Sequence, residues 1–251
     1  WYSLFNFKIP KVLCTVTYLP ISNSSFILTH NRDEHFTRSI ANLPAFYTKN
    51  SQRIVYPKDE QGGGTWFASS DKYTLCLLNG GFEKHQPKPP YKHSRGLVIL
   101  DFFEFDSVES FKDDYDFSGI EPFTLLIIEH DSLKLFEFIQ TETNIHYREL
   151  NAHQPAIWSS TTLYSNEARN LRLTMFSEWL LNRKIYSQEA IIQFHKYKES
   201  HIEKEGIMID RNSILKTVSL TSVMKTDQNS ISIYYEDFIQ QKNLALDITE
   251  E

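Results

Sequence analysis

The sequence predicts an α+β, layered fold in which two antiparallel sheets pack together and helices cover their outer faces. Three observations predict it: short β-prone runs that come in hairpins, stretches of apolar residues at helical spacing, and clusters of Ser, Asn, Asp and Gly between them. Along the chain the order is hairpins, helices, meander, helices, hairpin.

Residues 14–19 read Cys-Thr-Val-Thr-Tyr-Leu, alternating and β-prone, and 26–29 form a second apolar run after Ser22-Asn23-Ser24-Ser25, which makes a hairpin. Residues 65–68 and 73–78 repeat the pattern around Ser69-Ser70-Asp71-Lys72, with Gly62-Gly63-Gly64 as the tight turn before them. Ser94-Arg95-Gly96 leads into 97–105, and 107–112 follows, a pair of helices with serine caps. Strands return at 123–129, 133–139 and 145–150, a meander broken at His130-Asp131-Ser132 and Glu142-Thr143-Asn144, and 156–159 adds another. Residues 166–181 place Ala168, Leu171, Met175 and Trp179 at helical spacing, with Glu167, Arg169, Arg172 and Glu178 elsewhere on the wheel. Ser187 caps a further helix to about Lys198, and 217–224 with 230–235 make a closing hairpin around Thr226-Asp227-Gln228-Asn229.

A formal net charge of −6, with 26 Lys and Arg dispersed rather than in blocks, carries no footprint for a polyanion, so no nucleic acid partner is expected. The two cysteines, Cys14 and Cys76, form no disulfide framework and point to a reducing, cytoplasmic setting. The longest apolar runs, 97–103 and 123–128, are far short of the roughly 20 residues that cross a bilayer, so a soluble chain without a membrane span is expected. No spacing of His or Cys suggests a metal site, and no cofactor is expected. Residues 1–13 read as a leader, a tag or mis-called upstream sequence, and 14–251 as one domain of open oligomeric state. His85 and His93 flank Pro87, Pro89 and Pro90 in a basic segment that reads as a solvated loop and, just after Asn79, as a candidate lid. His195 and His201 read as surface and Cys76 as core.

Cys14 at the start of the first strand, Asn31-Arg32-Asp33-Glu34 at the end of the second, Gly63-Gly64-Thr65-Trp66, Leu77-Leu78-Asn79 and Ser94-Arg95-Gly96, in this order and spacing, resemble the NRDE family. That family includes the transport and Golgi organisation protein 2 homologues, and the resemblance thins beyond Gly96. It implies the four-layer αββα sandwich of the N-terminal-nucleophile hydrolases, shared with penicillin V acylase and bile salt hydrolase, which cleave amide bonds with an N-terminal cysteine. Such a cysteine supplies both a thiol nucleophile and an α-amino base of pKa about 7.7 to 8.0.

Carried over by position, the resemblance makes Cys14 the nucleophile, has Arg32 favour its thiolate and Asp33 orient its α-amine, and aims the Asn79 amide at the oxyanion. Asn31, Glu34, Trp66 and Arg95 are expected to contact substrate. The residues themselves leave a plainer reading open, with Arg32 and Asp33 as an ion pair closing a hairpin and Asn79 as a turn residue before Gly80-Gly81. The related hydrolases carry a second asparagine on a later strand; here Trp158-Ser159-Ser160-Thr161-Thr162 stands there, and a hydroxyl is the expected substitute donor. As written, the Cys14 nitrogen is an amide without useful basicity, so the mechanism requires removal of what precedes it, through a start at Leu13 or autocatalytic cleavage. The expected function is a cysteine N-terminal-nucleophile hydrolase cleaving a linear carbon–nitrogen amide bond. The alternative is a non-catalytic family member that binds or transfers haem or a lipid-like ligand; in both, the partner is a small molecule.

Overall fold

The computed structural model describes residues 13–35, 37–161, 166–198, 202 and 205–249. In chain order these form β1 (Leu13–Pro20), β2 (Phe26–His35), β3 (Asn42–Lys49), β4 (Gln52–Lys58), β5 (Phe67–Ser69), β6 (Tyr73–Asn79), α1 (Arg95–Phe102), α2 (Val108–Asp114) and β7 (Phe123–Glu129). They continue with β8 (Lys134–Gln140), β9 (Ile145–Leu150), β10 (Ala156–Ser159), α3 (Asn166–Leu181), α4 (Gln188–His195), β11 (Asp210–Arg211), β12 (Leu215–Lys225), β13 (Ile231–Asp237) and β14 (Lys242–Asp247). One antiparallel sheet runs β10-β1-β2-β12-β13-β14 with β11 beside β12, and the other runs β3 to β9 in sequence order.

The two-residue period of a strand decides the layers. Cys14, Val16 and Tyr18 of β1 and Phe26 and Leu28 of β2 face inward and meet Phe67, Cys76, Leu78, Leu126 and Ile128 of the other sheet. The alternate residues of that second sheet, such as Leu75, Leu125 and Ile127, pack under Val98, Ile99 and Phe102 of α1 and Phe111 of α2. On the first sheet Leu19 and Ile27 pack under Phe176 of α3 and Ile191 and Phe194 of α4. The order helix, sheet, sheet, helix is the four-layer sandwich the motifs imply, and Cys76 is buried in its middle as a free thiol. Among the described residues, no helix is long and apolar enough to cross a membrane.

Local chemistry sets the element ends. Ser107 accepts the Ser110 N–H at 3.1 Å while Ser110 Oγ accepts the Ser107 N–H at 3.1 Å, and Ser187 accepts the Ala190 N–H at 3.2 Å. Ser94 stands at the α1 N-cap without a side-chain cap bond. The β3–β4 hairpin, unread from sequence, turns on Asn50 and Ser51 at φ 46° and 62°, a geometry usually signalled by Asn-Gly, and this turn carries no glycine. Edge strand β14 is polar and largely exposed, which hides its pairing from hydrophobic periodicity.

Two surface expectations are overturned. Arg172, on the polar side of the predicted wheel, is fully buried in line with Ala168 and Phe176, because its guanidinium donates to the carbonyls of Glu205 and Gly206 at 3.1 to 2.7 Å. His195 is also fully buried, its Nε2 2.8 Å from Thr17 Oγ1; His201 lies outside the described residues.

Three buried histidines are held neutral. Burial, then His195 and Arg32, lowers His30 to about 3; burial, then Arg172, lowers His195 to about 3. His130 is lowered to about 4 by burial against an opposing bond to Asp71 O, which accepts its Nδ1–H at 2.9 Å and leaves Nε2 to accept from Thr74 Oγ1. Their unfolded values lie near 6.5, so their contribution is full above about pH 6.5 and is lost as pH falls toward the folded values. By pH 5 each histidine costs about 2 kcal/mol, and together they consume much of a stability on the order of 5–15 kcal/mol. Guanidinium unfolding followed from pH 8 to pH 5 is expected to show a flat midpoint above pH 7 and a steep fall below 6.5; a flat profile to pH 5 contradicts these assignments.

Candidate active site

The pairing of β1 with β2 sets Cys14 directly opposite Arg32, and alternation adds Glu34 on the same inward face. The other sheet brings Trp66 just before β5, and Leu77 and Asn79 at the end of β6. The start of α1 brings Ser94, Arg95 and Gly96. With Arg38 and Asp59 these residues line a cavity of about 100 Å³ around Cys14.

Two glycines allow the walls to meet. Thr65 N–H donates to Gly96 O at 3.0 Å, and a Cβ on Gly64 would lie 2.3 Å from the Gly96 carbonyl carbon. A Cβ on Gly96 would lie 2.8 Å from Thr65 O. The Gly62-Gly63-Gly64 turn is therefore confirmed, with Gly63 at φ 72°, but Gly64 is required by backbone contact rather than by its dihedral.

The cavity holds an ionic network. Arg32 Nη2 lies 3.3 Å from Glu34 Oε2 and 3.2 Å from Asp59 Oδ2, and its guanidinium sits 4.1 Å over the Trp66 ring. Arg38 Nη2 binds the same Asp59 oxygen at 2.5 Å, while Asp59 Oδ1 accepts the N–H groups of Gln61 and Gly62 at 3.1 and 3.2 Å. Arg95 donates to Glu121 Oε2 at 3.0 Å and Pro122 O at 3.2 Å, and Glu121 Oε1 holds His85 Nε2 at 3.0 Å. The loop expected to be solvated is thus tied down at His85, whose side chain is only 7% exposed.

Burial pushes the Cys14 thiol far above the usual thiol range; Asp33 adds to the rise, while the Asp33 backbone N–H bond and Arg32 oppose it. Burial also raises Glu34 against the pull of Arg32 and Arg38. Burial acts to raise Asp59 too, but Arg38 and Arg32 outweigh it and hold this carboxyl below its ordinary range. Arg95 is lowered by burial against Glu121.

Of the eight predicted site residues, Cys14, Arg32, Glu34, Trp66, Asn79 and Arg95 come together in the cavity. Asn79 ends β6 on the cavity wall, and its side-chain amide has no hydrogen-bond partner among the described residues. Asn31 faces the helix layer instead, its Nδ2 donating to His195 O at 2.8 Å and Ile207 O at 3.1 Å, so a substrate contact there is corrected to a tie between sheet and helix. Asp33 also points outward, its Oδ1 accepting from Thr217 Oγ1 at 2.5 Å beside the bulge in β12 between Thr217 and Ser219. An Arg32–Asp33 ion pair is not formed, because neighbours on a strand face opposite ways; Arg32 takes Glu34 and Asp59. Asp33 meets Cys14 through its backbone, and Leu13 pairs opposite it.

Where a second donor was expected, Ser160 N–H donates to Cys14 O at 3.0 Å and Ser160 Oγ donates to Asn79 O, bridging the two sheets beside the thiol. Its hydroxyl is engaged by that carbonyl; Thr161 Oγ1 donates to Gly81 O at 2.8 Å, and Thr162 lies outside the described residues. Arg38 and Asp59 were not read from the sequence: Asp59, three residues before Gly62, carries an Asx-turn pattern, whereas nothing local marks Arg38. No group of three or more His, Cys, Asp or Glu arranged to hold a metal occurs among the described residues.

The sequence profile of the Transport and Golgi organisation 2 family matches residues 13–242. A comparison with curated proteins finds no match. Among solved structures, a variant of the conjugated bile acid hydrolase from Clostridium perfringens is similar over 95% of this chain and 93% of that one, with a TM-score of 0.58 at 13% identity. At that identity the likeness shows the N-terminal-nucleophile hydrolase fold and nothing finer.

Gly64→Ala is expected to cost about 1–3 kcal/mol through overpacking against Gly96. Thermal unfolding would show this as a melting point several degrees lower; an unchanged melting point would mean the two backbones are not in contact.

Proposed function

The chain belongs to the Transport and Golgi organisation 2 family, and from that premise we propose that it is a cysteine hydrolase of linear amide bonds, acting through Cys14 once that residue heads the chain. One observation carries the reading: Cys14 stands opposite Arg32 in the same cavity as the unpartnered amide of Asn79. Nucleophile, cation and oxyanion donor are the three groups that acyl transfer to a thiol requires.

With a free α-amine of pKa about 7.7 to 8.0, the Cys14 nitrogen takes the thiol proton and the sulfur attacks the substrate carbonyl carbon. Asn79 donates to the oxyanion, and Arg32 lowers the energy of the thiolate. Collapse breaks the carbon–nitrogen bond, and the amine leaves with the proton held by the α-ammonium. Water then attacks the thioester and releases the acid and the thiol. Asp33, opposite Leu13, is the group proposed to hold the amine.

While Cys14 remains inside the chain, burial keeps the thiol protonated and the Cys14 nitrogen is an amide without useful basicity, so this form is latent. The same observation favours a second reading, in which the fold is retained to bind or carry haem or a lipid-like ligand without catalysis. Both readings suit a reducing cytoplasmic setting, since both cysteines are free.

Protein trimmed to begin at Cys14 is expected to alkylate with iodoacetamide at pH 7.5 at least about tenfold faster than protein retaining upstream residues, as follows from the added base. On an amide screen, Cys14→Ala is expected to lower kcat/KM by at least about 10³-fold and Cys14→Ser to fall nearly as far. Full activity in both variants sinks the catalytic reading and leaves the carrier.

A further inference from the structure

β6 ends at Asn79 and runs into Gly80-Gly81, and two glycines in a row give a chain little stiffness of their own. Here three hydroxyls supply it. Ser160 Oγ donates to the Asn79 carbonyl, Thr124 Oγ1 to the Gly80 carbonyl at 3.0 Å and Thr161 Oγ1 to the Gly81 carbonyl at 2.8 Å. Gly80 N–H donates to Pro122 O at 2.9 Å with Gly80 at φ 93°, a left-handed backbone that glycine tolerates. A Cβ on Gly81 would lie 2.8 Å from Gln140 O, so the segment is closely seated as well as bonded.

The donors come from both sheets. Thr124 is on β7, beside the strand that ends in Asn79, whereas Ser160 and Thr161 follow β10, the strand paired with β1. Ser160 also donates its backbone N–H to Cys14 O at 3.0 Å, so one residue grips the backbone of the thiol residue and that of Asn79. Each peptide unit is planar, so holding successive carbonyls fixes the dihedrals between them. The Asn79 Cα lies between a peptide in the β6–β7 ladder and a carbonyl held by Ser160, so its side chain leaves from a fixed point relative to Cys14.

We infer that Ser160 and Thr161 are positioning residues for the acyl transfer: their hydroxyls hold the 79–81 backbone where the Asn79 amide meets an oxyanion formed at Cys14. The inference rests on the hydrolase reading of Cys14. Each hydroxyl is engaged by a backbone carbonyl and acts through Asn79. A shift of about 1 Å in such a group costs on the order of 10²-fold in rate.

Two reagents separate positioning from thiol reactivity, on protein beginning at Cys14. p-Nitrophenyl acetate acylates the thiol through an oxyanion, as sulfur adds to the carbonyl carbon and nitrophenolate leaves; iodoacetamide alkylates it by displacing iodide, without one. Acylation is read as the nitrophenolate release that Cys14→Ala lacks. Ser160→Ala, which keeps the backbone N–H on Cys14 O, and Thr161→Val are each expected to slow acylation at least about tenfold and alkylation less than about twofold. Thr161→Ser, which keeps the hydroxyl, is expected to acylate at the wild-type rate. In an Asn79→Ala background, adding Ser160→Ala is expected to change acylation less than about twofold, because the group being positioned is gone. Thr161 is half-buried, so its two variants carry the test if Ser160→Ala unfolds.

Acylation unmoved by these variants, equal slowing of both reagents, failure of Thr161→Ser to restore the rate, or additive losses with Asn79→Ala each overturn the positioning role and spare the hydrolase. Acylation that ignores Asn79→Ala itself removes the oxyanion donor from the hydrolase reading, and the positioning role falls with it.

Discussion

The register of β1 against β2 is the constraint on which the rest of the site depends. Cys14 opposite Arg32, Val16 opposite His30 and Tyr18 opposite Leu28 put one set of side chains between the sheets and the other under the helices. A slip by one residue would turn Cys14 toward the helix layer and set Thr15 in the cavity. Both faces resist such a slip. Inside, Tyr18 stacks on Phe26 at 5.9 Å and its hydroxyl donates to Ala152 O at 2.7 Å; outside, Thr17 meets His195 and Asn31 donates to the His195 carbonyl. Asn31 therefore serves the site from the opposite face, by holding the strand that presents Arg32.

The electrostatics of the cavity follow from who competes for Arg32. Its guanidinium is shared among Glu34, Asp59 and the face of Trp66, so only part of its field reaches the thiol, and burial outweighs that part. Asp59 remains an anion because Arg38 and the N–H groups of Gln61 and Gly62 surround it. Cys14 thus rests as a neutral thiol beside a preassembled cation. The backbone contact between Gly64 and Gly96 seats Trp66 and Arg95 on the same wall, and Ser160 joins Cys14 to Asn79 across the sandwich. Separate motifs in the chain thus become one enclosure through two backbone contacts and one hydroxyl bridge.

Legibility fell off where the information was not local. The α3 helix, the β7–β8–β9 meander and the Ser107 and Ser187 caps were readable because periodicity and capping act within a few residues. β3, β4 and β14 were not, since their turns lack glycine or their faces lack apolar alternation. Arg172 and His195 looked like surface residues because a sequence shows charge but not the carbonyls of Glu205 and Gly206, or the Thr17 hydroxyl, that make burial tolerable.

The sequence by itself determined the layered α+β class, the identity of the nucleophile candidate and five of the residues that meet around it, because strand alternation and short motifs encode them within a few positions. Only the tertiary structure decided that Asn31 and Asp33 turn away from the cavity, that Arg38 and Asp59 complete its ionic wall, and that Arg32 borders a second hollow. Those outcomes depend on which strands pair, on a bulge in β12 and on two glycine backbones meeting. They are long-range contacts, and no single stretch of chain contains them.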